Sequence, residues 1–506
     1  MCGIAGVVVA PVAQVNPRWL RDMSGAMEHR GPDDAGWLQW SAGNPPRPSR
    51  SVREVRAQVG FCHQRLAIID LTEGGWQPMC TADGRYALVF NGEVYNYLEL
   101  RAELEKCGHT FVSESDSEVL LEAFAEWGAA AASRLVGMFA FAILDTLART
   151  VTLVRDPFGI KPLHYATWPG GLGFASEIKS LLHLPGVSRR ASAQALLDYL
   201  DQGAVGHSSQ TMFADVKSLP PGSFATLTLD RPDSLALDRY WSPPENETVE
   251  ISFGEASAQV RDLFLDNLSL HLRSDVPVGT ALSGGVDSSA IIAGLRAVGG
   301  ADTDIRAFSY IASDPTLSEE KWVDLAAEAA GARVVKVSPS ETDLLTDLGD
   351  LIKCQDEPFG STSIYAQHRV FRSAAEHGVK VMLDGQGADE MLAGYRPYIS
   401  VRIASLLRRG DLLAARRLAF AGARLPGSQS APRLLAKAGA SLLPPGVFQQ
   451  VKQGVGASRS QADRWIDHAW FARHGGIERP VSPLSTSLAD YYGKRYYTTN
   501  NKCCRS

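Results

Sequence analysis

Cys2 follows Met1 directly and its neighbour Gly3 is small, so removal of Met1 would leave a thiol and an α-amine on one residue. An α-amine titrates at about 7.7–8.0 and a thiol at about 8.5, so the free amine can take the thiol proton near neutral pH without any histidine. One residue would then supply both nucleophile and base. A second centre is suggested where the apolar Val276 to Leu282 runs into Ser283-Gly284-Gly285-Val286-Asp287-Ser288-Ser289 and then the helical Ala290 to Arg296. A strand, a glycine-serine loop and a helix N-terminus form an anion site, because free backbone N–H groups and the helix dipole face one spot. The lysine of a G-x-x-x-x-G-K-[ST] loop is absent, so transfer of a γ-phosphoryl group is not the indicated chemistry. Singly, a Cys at position two or a glycine turn before a helix is more often structural, and companions must decide.

The companions of Cys2 come in order: His29-Arg30-Gly31-Pro32-Asp33, His63-Gln64-Arg65-Leu66-Ala67-Ile68, Asn91-Gly92-Glu93-Val94-Tyr95-Asn96 and Ser115-Asp116-Ser117-Glu118. They continue through Gly137-Met138-Phe139-Ala140-Phe141, Arg155 to Pro162 and Phe174-Ala175-Ser176-Glu177-Ile178-Lys179. On these blocks the N-terminal half resembles the class II glutamine amidotransferase domain. The resemblance implies Cys2 as nucleophile, Arg65 on the glutamine α-carboxylate, Glu93 and Asp116 on its ammonium, and Asn91 and Gly92 as oxyanion donors. Read without it, Arg65, Glu93 and Asp116 would be surface ion-pairing groups and Asn91-Gly92 a hairpin turn.

The Ser283 to Ser289 loop resembles the pyrophosphate loop of ATP pyrophosphatases, and Val381 to Glu390 with Gly394-Tyr395 completes a likeness to the glutamine-hydrolysing asparagine synthetase family. That likeness implies ATP and Mg²⁺. Ser283, Gly284, Gly285, Asp287, Ser288 and Ser289 would bind the phosphates, Leu282, Tyr310, Asp384 and Gly385 the rest of the nucleotide, and Asp287 and Asp389 the magnesium. Asp356-Glu357-Pro358-Phe359 would fall in the acceptor region. The substrates implied are glutamine, ATP and a carboxylate acceptor, aspartate first, with a homodimer allowed for. Family members that make free asparagine usually carry glutamate at the position of Gln386, so a carboxylate on another metabolite is the alternative acceptor. Past Tyr395 the family's usual Arg- and Glu-rich closing block is not found, so the synthetase half is expected to be shortened at its C-terminus, with glutaminase and nucleotide binding alone as the reading that follows from it.

Positioning these groups requires more than one core. With 506 residues the chain exceeds the roughly 250–300 that a single core sustains, so two or three domains are expected. Short apolar runs at Gly3 to Val9, Leu66 to Asp70, Tyr86 to Phe90 and Met138 to Leu144 read as strands. Leu98 to Lys106 and Glu118 to Trp127 read as helices, the second capped from Ser115-Asp116-Ser117. This half is predicted to be an α+β N-terminal nucleophile sandwich (αββα) over residues 1–190. Residues 191–244 are predicted to connect it to 245–506, an α/β parallel-sheet ATP pyrophosphatase domain whose strands Val276 to Leu282, Ile305 to Ile311 and Val334 to Val337 alternate with helices beginning at Ser252, Ser288 and Glu319. Beyond Tyr395 the chain reads as helical and Arg-rich, with solvated helix faces preferred to a membrane or nucleic-acid surface.

A net charge of -6 gives no global attraction to nucleic acid or anionic membrane, so neither is an expected partner. The start carries no signal-like apolar region, and Leu135 to Leu144 is too short to span a bilayer, so the expected place is the cytoplasm. The seven cysteines include no C-x-x-C pair, which suits a reducing compartment without a zinc site or disulfide framework.

Overall fold

The computed structural model describes residues 1–244, 249–425, 427–443 and 466–476. The polar tail at 491–506, with Cys503-Cys504, lies outside these residues. Two compact units divide the chain: Met1–Arg190 with Ser209–Gly385, and Ala191–Ser208 with the described residues from Gln386 onward.

In the first unit the chain runs through β1 (Gly3–Val9), α1 (Pro17–Gly25), β2 (Asp34–Trp40), β3 (Val59–Arg65), β4 (Met79–Cys80), β5 (Tyr86–Val94), α2 (Tyr97–Lys106) and α3 (Asp116–Trp127). It continues as β6 (Gly137–Asp145), β7 (Thr150–Arg155), β8 (His164–Trp168), β9 (Gly171–Ala175) and α4 (Ile178–Leu181), and, after α5 (Ala193–Gln202) of the second unit, as β10 (Lys217–Ser218), β11 (Ser223–Thr228) and β12 (Arg231–Arg239). Two six-stranded sheets result, ordered β10-β8-β9-β1-β3-β2 and β12-β11-β7-β6-β5-β4.

The period of two along each strand builds four layers. In β6, Ala140, Ala142 and Leu144 enter the core between the sheets, while Phe139, Phe141 and Ile143 face the core shared with α2 and α3. In β1, Ile4 and Val8 point into the same central core, and Ala5, Val7 and Val9 meet Leu20 and Met23 of α1 and Ile178 and Leu181 of α4. Strands covered on both faces therefore read as unbroken apolar runs. The expected αββα sandwich is what these layers form. Gly6 belongs to this packing, since a Cβ there would lie 2.5 Å from the Phe174 ring and 2.7 Å from Phe61, which meet edge to face at 5.4 Å.

Still in the first unit, α6 (Phe253–His271), β13 (Val278–Ala281), α7 (Val286–Gly299), β14 (Arg306–Tyr310), α8 (Glu320–Ala330), β15 (Arg333–Val337), α9 (Glu341–Gln355), α10 (Ser363–Glu376) and β16 (Val381–Leu383) follow. The four strands lie in the order β15-β14-β13-β16, all parallel. Leu268, Ile291, Ile292, Leu295, Val323 and Ala327 cover one face from α6, α7 and α8, and Val370 and Ala374 of α10 cover the other. The parallel α/β layer is present as expected.

The second unit holds α5, α11 (Ala388–Leu392), α12 (Pro397–Arg408), α13 (Leu412–Ala423), α14 (Ala431–Ala440) and α15 (His468–Arg473). Ile403, Ala404, Ala415, Ala419, Ala431, Leu434 and Ala438 form a core of mostly small residues that lets α12, α13 and α14 approach closely. Arg402, Arg408, Arg409, Arg416, Arg417 and Arg424 are exposed around it.

Three local expectations are corrected. Leu66 to Asp70 is not a strand: its backbone donors go to side chains, with Leu66 N 3.4 Å from Cys2 Sγ, Ala67 N 2.8 Å from Asp33 and Asp70 N 2.8 Å from Asp275. Helix α7 starts at Val286 and not Ser288, because the Ser288 hydroxyl folds back to Gly285 O at 3.2 Å and draws the loop into the first turn. Part of the expected connecting stretch is sandwich: β11 pairs with β7 and β12 with β11, while Ala191–Ser208 goes to the second unit.

Gly6→Ala is expected to overpack the sandwich, lowering stability by about 1–3 kcal/mol. Urea unfolding followed by tryptophan fluorescence should show an earlier midpoint, with part of the loss recovered in Gly6→Ala/Phe174→Leu. An unchanged midpoint would mean that the two rings yield without cost.

Candidate active site

The first centre gathers at the start of β1. In this structure Met1 precedes Cys2, whose thiol lies 3.6 Å from Leu66 O and 3.4 Å from Leu66 N. Arg30 holds the Cys2 carbonyl from its Nε at 2.9 Å and gives its Nη1 to Glu177 at 2.8 Å, a pair with almost no exposure. Gly31 is needed beside it, because a Cβ would meet the Gln64 carbonyl of β3 at 2.4 Å. Burial opposes ionisation of Glu177, yet the hydrogen bond from His29 and the charges of Arg30 and Lys179 hold its carboxyl well below the usual range.

The pocket disfavours charge on the Met1 amine and on the Cys2 thiol alike. Burial, then the positive charge of Arg30, lowers the Met1 amine to about 5, and burial raises the Cys2 thiol. At neutral pH the amine here is a free base and the thiol is protonated. Lys161, itself buried, bears on both groups and lies 3.1 Å from Met1 Sδ.

Asn91 and Gly92 sit inside β5, opposite Ala140 and Phe139 of β6, so the hairpin alternative is excluded. Asn91 is fully buried, and neither its amide oxygen nor its nitrogen meets a partner among the described residues. Such a group normally costs free energy. The backbone N–H and C=O of Phe139 are engaged with Asp156 on the β7 side, so Gly92 directs its own N–H away from β6. On that edge Phe90 N reaches Gln77 Oε1 at 2.6 Å and Val94 N reaches Asp116 Oδ2 at 3.0 Å. Among the described residues no acceptor meets the Gly92 N–H between them. Only glycine fits there, since a Cβ would stand 2.2 Å from Met138 O.

Glu93 and Asp116 are buried carboxylates rather than surface ion pairs. Burial raises Glu93 against the opposing charges of Lys161 and the N-terminus; burial, helped by the charge of Glu93, pushes Asp116 up to about 7. Arg65 is buried as well, its guanidinium held by Thr72 O at 2.8 Å and by Asp70 O, so the loop after β3 wraps around it. Glu93, Lys161 and Arg30 act by charge on the Met1 amine and Arg65 on the Cys2 thiol, while Asn91 and Gly92 share β5 with Glu93 and Asp116 accepts from Val94 N of the same strand. Arg30, Lys161 and Glu177 lie within blocks legible in the sequence but had no assigned role. For Lys161 and Glu177 the signal was a charged residue among apolar neighbours, whereas Arg30 lies in the polar run Glu28 to Asp34 and carried none.

The second centre lies where β13 meets α7. Ser283 Oγ and Ser288 Oγ are 3.0 Å apart, and Ser283 Oγ accepts from Gly285 N at 3.3 Å, so the serines brace the loop itself. Gly285 caps α7 without a side-chain hydrogen bond, which leaves the first-turn N–H groups uncovered by any capping side chain. Gly284 has φ +78, and a Cβ would lie 2.7 Å from Trp322, so both conformation and space demand glycine. Leu282 is buried and bonded through its N–H to Phe308 O at 2.9 Å; Tyr310, at the end of β14, is exposed. Gly385 packs its α-carbon side against Asp287 Cβ, and Asp384 accepts from Gln367 of α10 at 2.8 Å. Ser289 lies in the first turn of α7, its N–H on Gly285 O at 3.0 Å. Asp389 belongs to α11 of the second unit, where its carbonyl accepts from Gly394 N at 2.9 Å.

A sandwich with a half-buried thiol next to its N-terminus is thus followed by a parallel sheet with a serine-glycine loop. Residues 1–241 match the family described as glutamine amidotransferase domain, and residues 259–464 the family described as asparagine synthase. The chain is 36% identical over 406 residues to asparagine synthetase [glutamine-hydrolyzing] 1 of Bacillus subtilis, an alignment covering 79% of this chain and 59% of the relative. It is 31% identical over 408 residues to putative asparagine synthetase [glutamine-hydrolyzing] 1 of Methanocaldococcus jannaschii, covering 78% of this chain and 69% of that one. A solved structure titled as the allosteric regulatory enzyme of purine biosynthesis aligns with TM-score 0.37 and 16% identity over 67% of this chain and 80% of its own. The chain belongs to the glutamine-hydrolysing asparagine synthetase family. It spans about three-fifths of the length of the Bacillus subtilis relative.

An ammonium ligand of Glu93 and Asp116 favours the ionised carboxylates. Its affinity should be full above about pH 7 and fall by up to tenfold per unit as Asp116 takes up its proton below that. Calorimetry of glutamine binding to Cys2→Ala between pH 6 and 8 checks this, and Asp116→Asn should flatten the dependence. A pH-independent affinity in Cys2→Ala would separate Asp116 from the ligand.

Proposed function

We propose that the chain is a glutamine-dependent asparagine synthetase. The sandwich, residues 1–190 with the strands from the connecting stretch, hydrolyses glutamine; the half from residue 245 onward adenylates aspartate with ATP, and ammonia converts the adenylate to asparagine, releasing AMP and pyrophosphate. The observation that carries the reading is the Asn91 side chain, fully buried with both polar atoms unpartnered among the described residues, beside a half-buried Gly92 whose N–H meets no acceptor there. Groups kept unsatisfied at such cost suit an oxyanion that forms only during reaction.

The chemistry follows from the residues. With Met1 removed, the Cys2 amine takes the thiol proton as Sγ bonds to the glutamine amide carbon and the C=O electron pair moves to oxygen. Asn91 and Gly92 donate to that oxyanion. Collapse breaks the C–N bond, the amine's proton leaves with nitrogen as ammonia, and water then cleaves the thioester to glutamate. Arg65 takes the substrate carboxylate, and Glu93 and Asp116 its ammonium. In the other half, an acceptor carboxylate oxygen attacks the α-phosphorus and pyrophosphate leaves; ammonia attacks the acyl carbon and AMP leaves. Ser283 to Ser289 cradle the phosphates, and Leu282, Tyr310, Asp384 and Gly385 line the remainder.

Asp287 and Asp389 would hold Mg²⁺ through carboxylate oxygens, the donor type that ion prefers, and the ion would offset phosphate charge. Among the described residues no group of three or more His, Cys, Asp or Glu could cage an ion unaided. A route for ammonia inside the protein keeps it from protonation in bulk water, where it would lose its nucleophilicity. The proposed compartment is the cytoplasm; no helix among the described residues is long and apolar enough to cross a membrane.

Gln386 supports a second acceptor. Its amide cannot take a proton from attacking ammonia as a carboxylate can, so a carboxylate on another metabolite is the alternative substrate. Incubation with glutamine, Mg-ATP and a panel of carboxylates, scoring glutamate, pyrophosphate and amide separately, distinguishes the two: amide formed from aspartate supports the first reading, and amide formed only from another acid supports the second.

Cys2→Ala should abolish glutamate release while any synthesis from added ammonia survives; normal release, or full activity in a chain shown by mass spectrometry to keep Met1, would sink the nucleophile assignment. Asp287→Asn and Asp389→Asn should each remove acceptor-dependent pyrophosphate release while basal glutaminase persists. Normal release with unaltered magnesium dependence in either variant would remove that carboxylate from the site.

A further inference from the structure

Glu177 stands at the crossing of two chains of contacts. Its Oε1 receives Arg30, which holds the Cys2 carbonyl, and also His29 Nε2 at 3.2 Å. Its Oε2 receives Lys179, and the same ammonium lies 3.1 Å from Asp356 Oδ1. Asp356 comes from the other half of the chain: it ends α9 in a left-handed conformation, φ +59, and its second oxygen accepts from Ile178 N at 2.8 Å and Lys179 N at 3.4 Å at the start of α4. Its neighbour Glu357 accepts from Met212 N at 2.8 Å, so this short turn is fixed to the glutaminase side at two points. From the turn, α10 carries Gln367 to Asp384 beside the serine-glycine loop.

We propose that Lys179 and Asp356 are positioning residues for Cys2, so that the half holding the nucleotide loop sets the placement of the glutaminase nucleophile through Asp356, Lys179, Glu177 and Arg30. The inference rests on Cys2 being the nucleophile. A carboxylate buried between cations distributes its lone pairs among them, and removing one cation redirects it towards the rest. With Lys179 gone, Oε2 of Glu177 turns to Arg30 and pulls it from the Cys2 carbonyl. With the Asp356 charge gone, Lys179 is drawn wholly to Glu177 and competes with Arg30. Neither residue touches the groups assigned to glutamine, so attack should suffer and binding should not.

The test measures glutaminase kcat and KM on the full chain for Lys179→Met, Lys179→Arg and Asp356→Asn, with Cys2 alkylation by iodoacetamide followed by mass spectrometry and with thermal melting. Asn at 356 keeps one acceptor oxygen for the α4 backbone, whose two N–H groups share one oxygen of Asp356, but not the charge, so it isolates the relay from the cap. Lys179→Met and Asp356→Asn should lower kcat about tenfold with KM within about twofold, and both should change the alkylation rate of Cys2. Lys179→Arg should stay near wild type. Should Lys179→Met lose its folded signal, Lys179→Gln carries the same expectation. Unchanged kcat and alkylation, a KM that moves with kcat, or an Arg variant as poor as the Met one would overturn the proposal. Glutaminase surviving in Cys2→Ala would instead overturn the nucleophile reading, which these variants do not touch.

Discussion

The ion pair of Arg30 and Glu177, closed off from water, fixes where the chain's first residues lie. Arg30 follows α1 and Glu177 follows β9, so the pair joins the helix layer to the sheet while its Nε holds the carbonyl of Cys2. Breaking such a pair by removing one partner costs about 3–5 kcal/mol, because the survivor remains charged in a dry place. A free N-terminal segment would ordinarily fray. Here β1 is a central strand with β3 on one side and β9 on the other, and the ion pair continues that restraint past the last ladder hydrogen bond.

The same dryness sets the chemistry. Water would stabilise ammonium and thiolate alike, and burial opposes both charges, raising the Cys2 thiol and lowering the Met1 amine that precedes it. Burial likewise raises Glu93, against the charges of Lys161 and the N-terminus, and Asp116, while the Asn91 amide has no partner among the described residues. A buried amide without partners among the described residues and two raised carboxylates are costly as structure, which is why they stand out.

Much of this was legible because strands buried on both faces are apolar without interruption, so a charged or amide residue within one stands out. Asn91 and Glu93 in β5 are of that kind, and so are the helices α2 and α3 with the Ser115 cap, which accepts from Ser117 N. Leu66 to Asp70 misled because five largely apolar residues satisfy the same pattern, and only the surrounding fold shows that side chains of Cys2, Asp33 and Asp275 take the place of a neighbouring strand. The stretch after residue 191 misled for the opposite reason. Its prolines and glycines read as linker, yet Ser223–Thr228 alternates buried and partly exposed residues and pairs with β7, a signal too short to see against Leu219-Pro220-Pro221-Gly222.

What no pattern in the sequence carries is the wiring between the halves. Arg273 forks onto Glu99 at 2.6 Å from each nitrogen, Lys380 reaches Asp33 at 2.7 Å, and Asp275 exchanges hydrogen bonds with the backbone of Ile68 and Asp70. Each joins residues far apart in the chain, and each charge would pass, residue by residue, for a solvated one. Exposed pairs of this kind contribute little to stability. Their placement is the informative feature: Asp275 lies just before β13, which leads into the serine-glycine loop, and the loop it grips is the one that wraps Arg65 and offers Leu66 to the Cys2 thiol. Residues of the parallel-sheet half thus reach the loop beside Cys2 at Asp275 and the Glu177–Lys179 pair at Asp356. Removing the Asp275 contact would leave that loop without its carboxylate acceptor, and removing Asp356 would leave Lys179 to Glu177 alone.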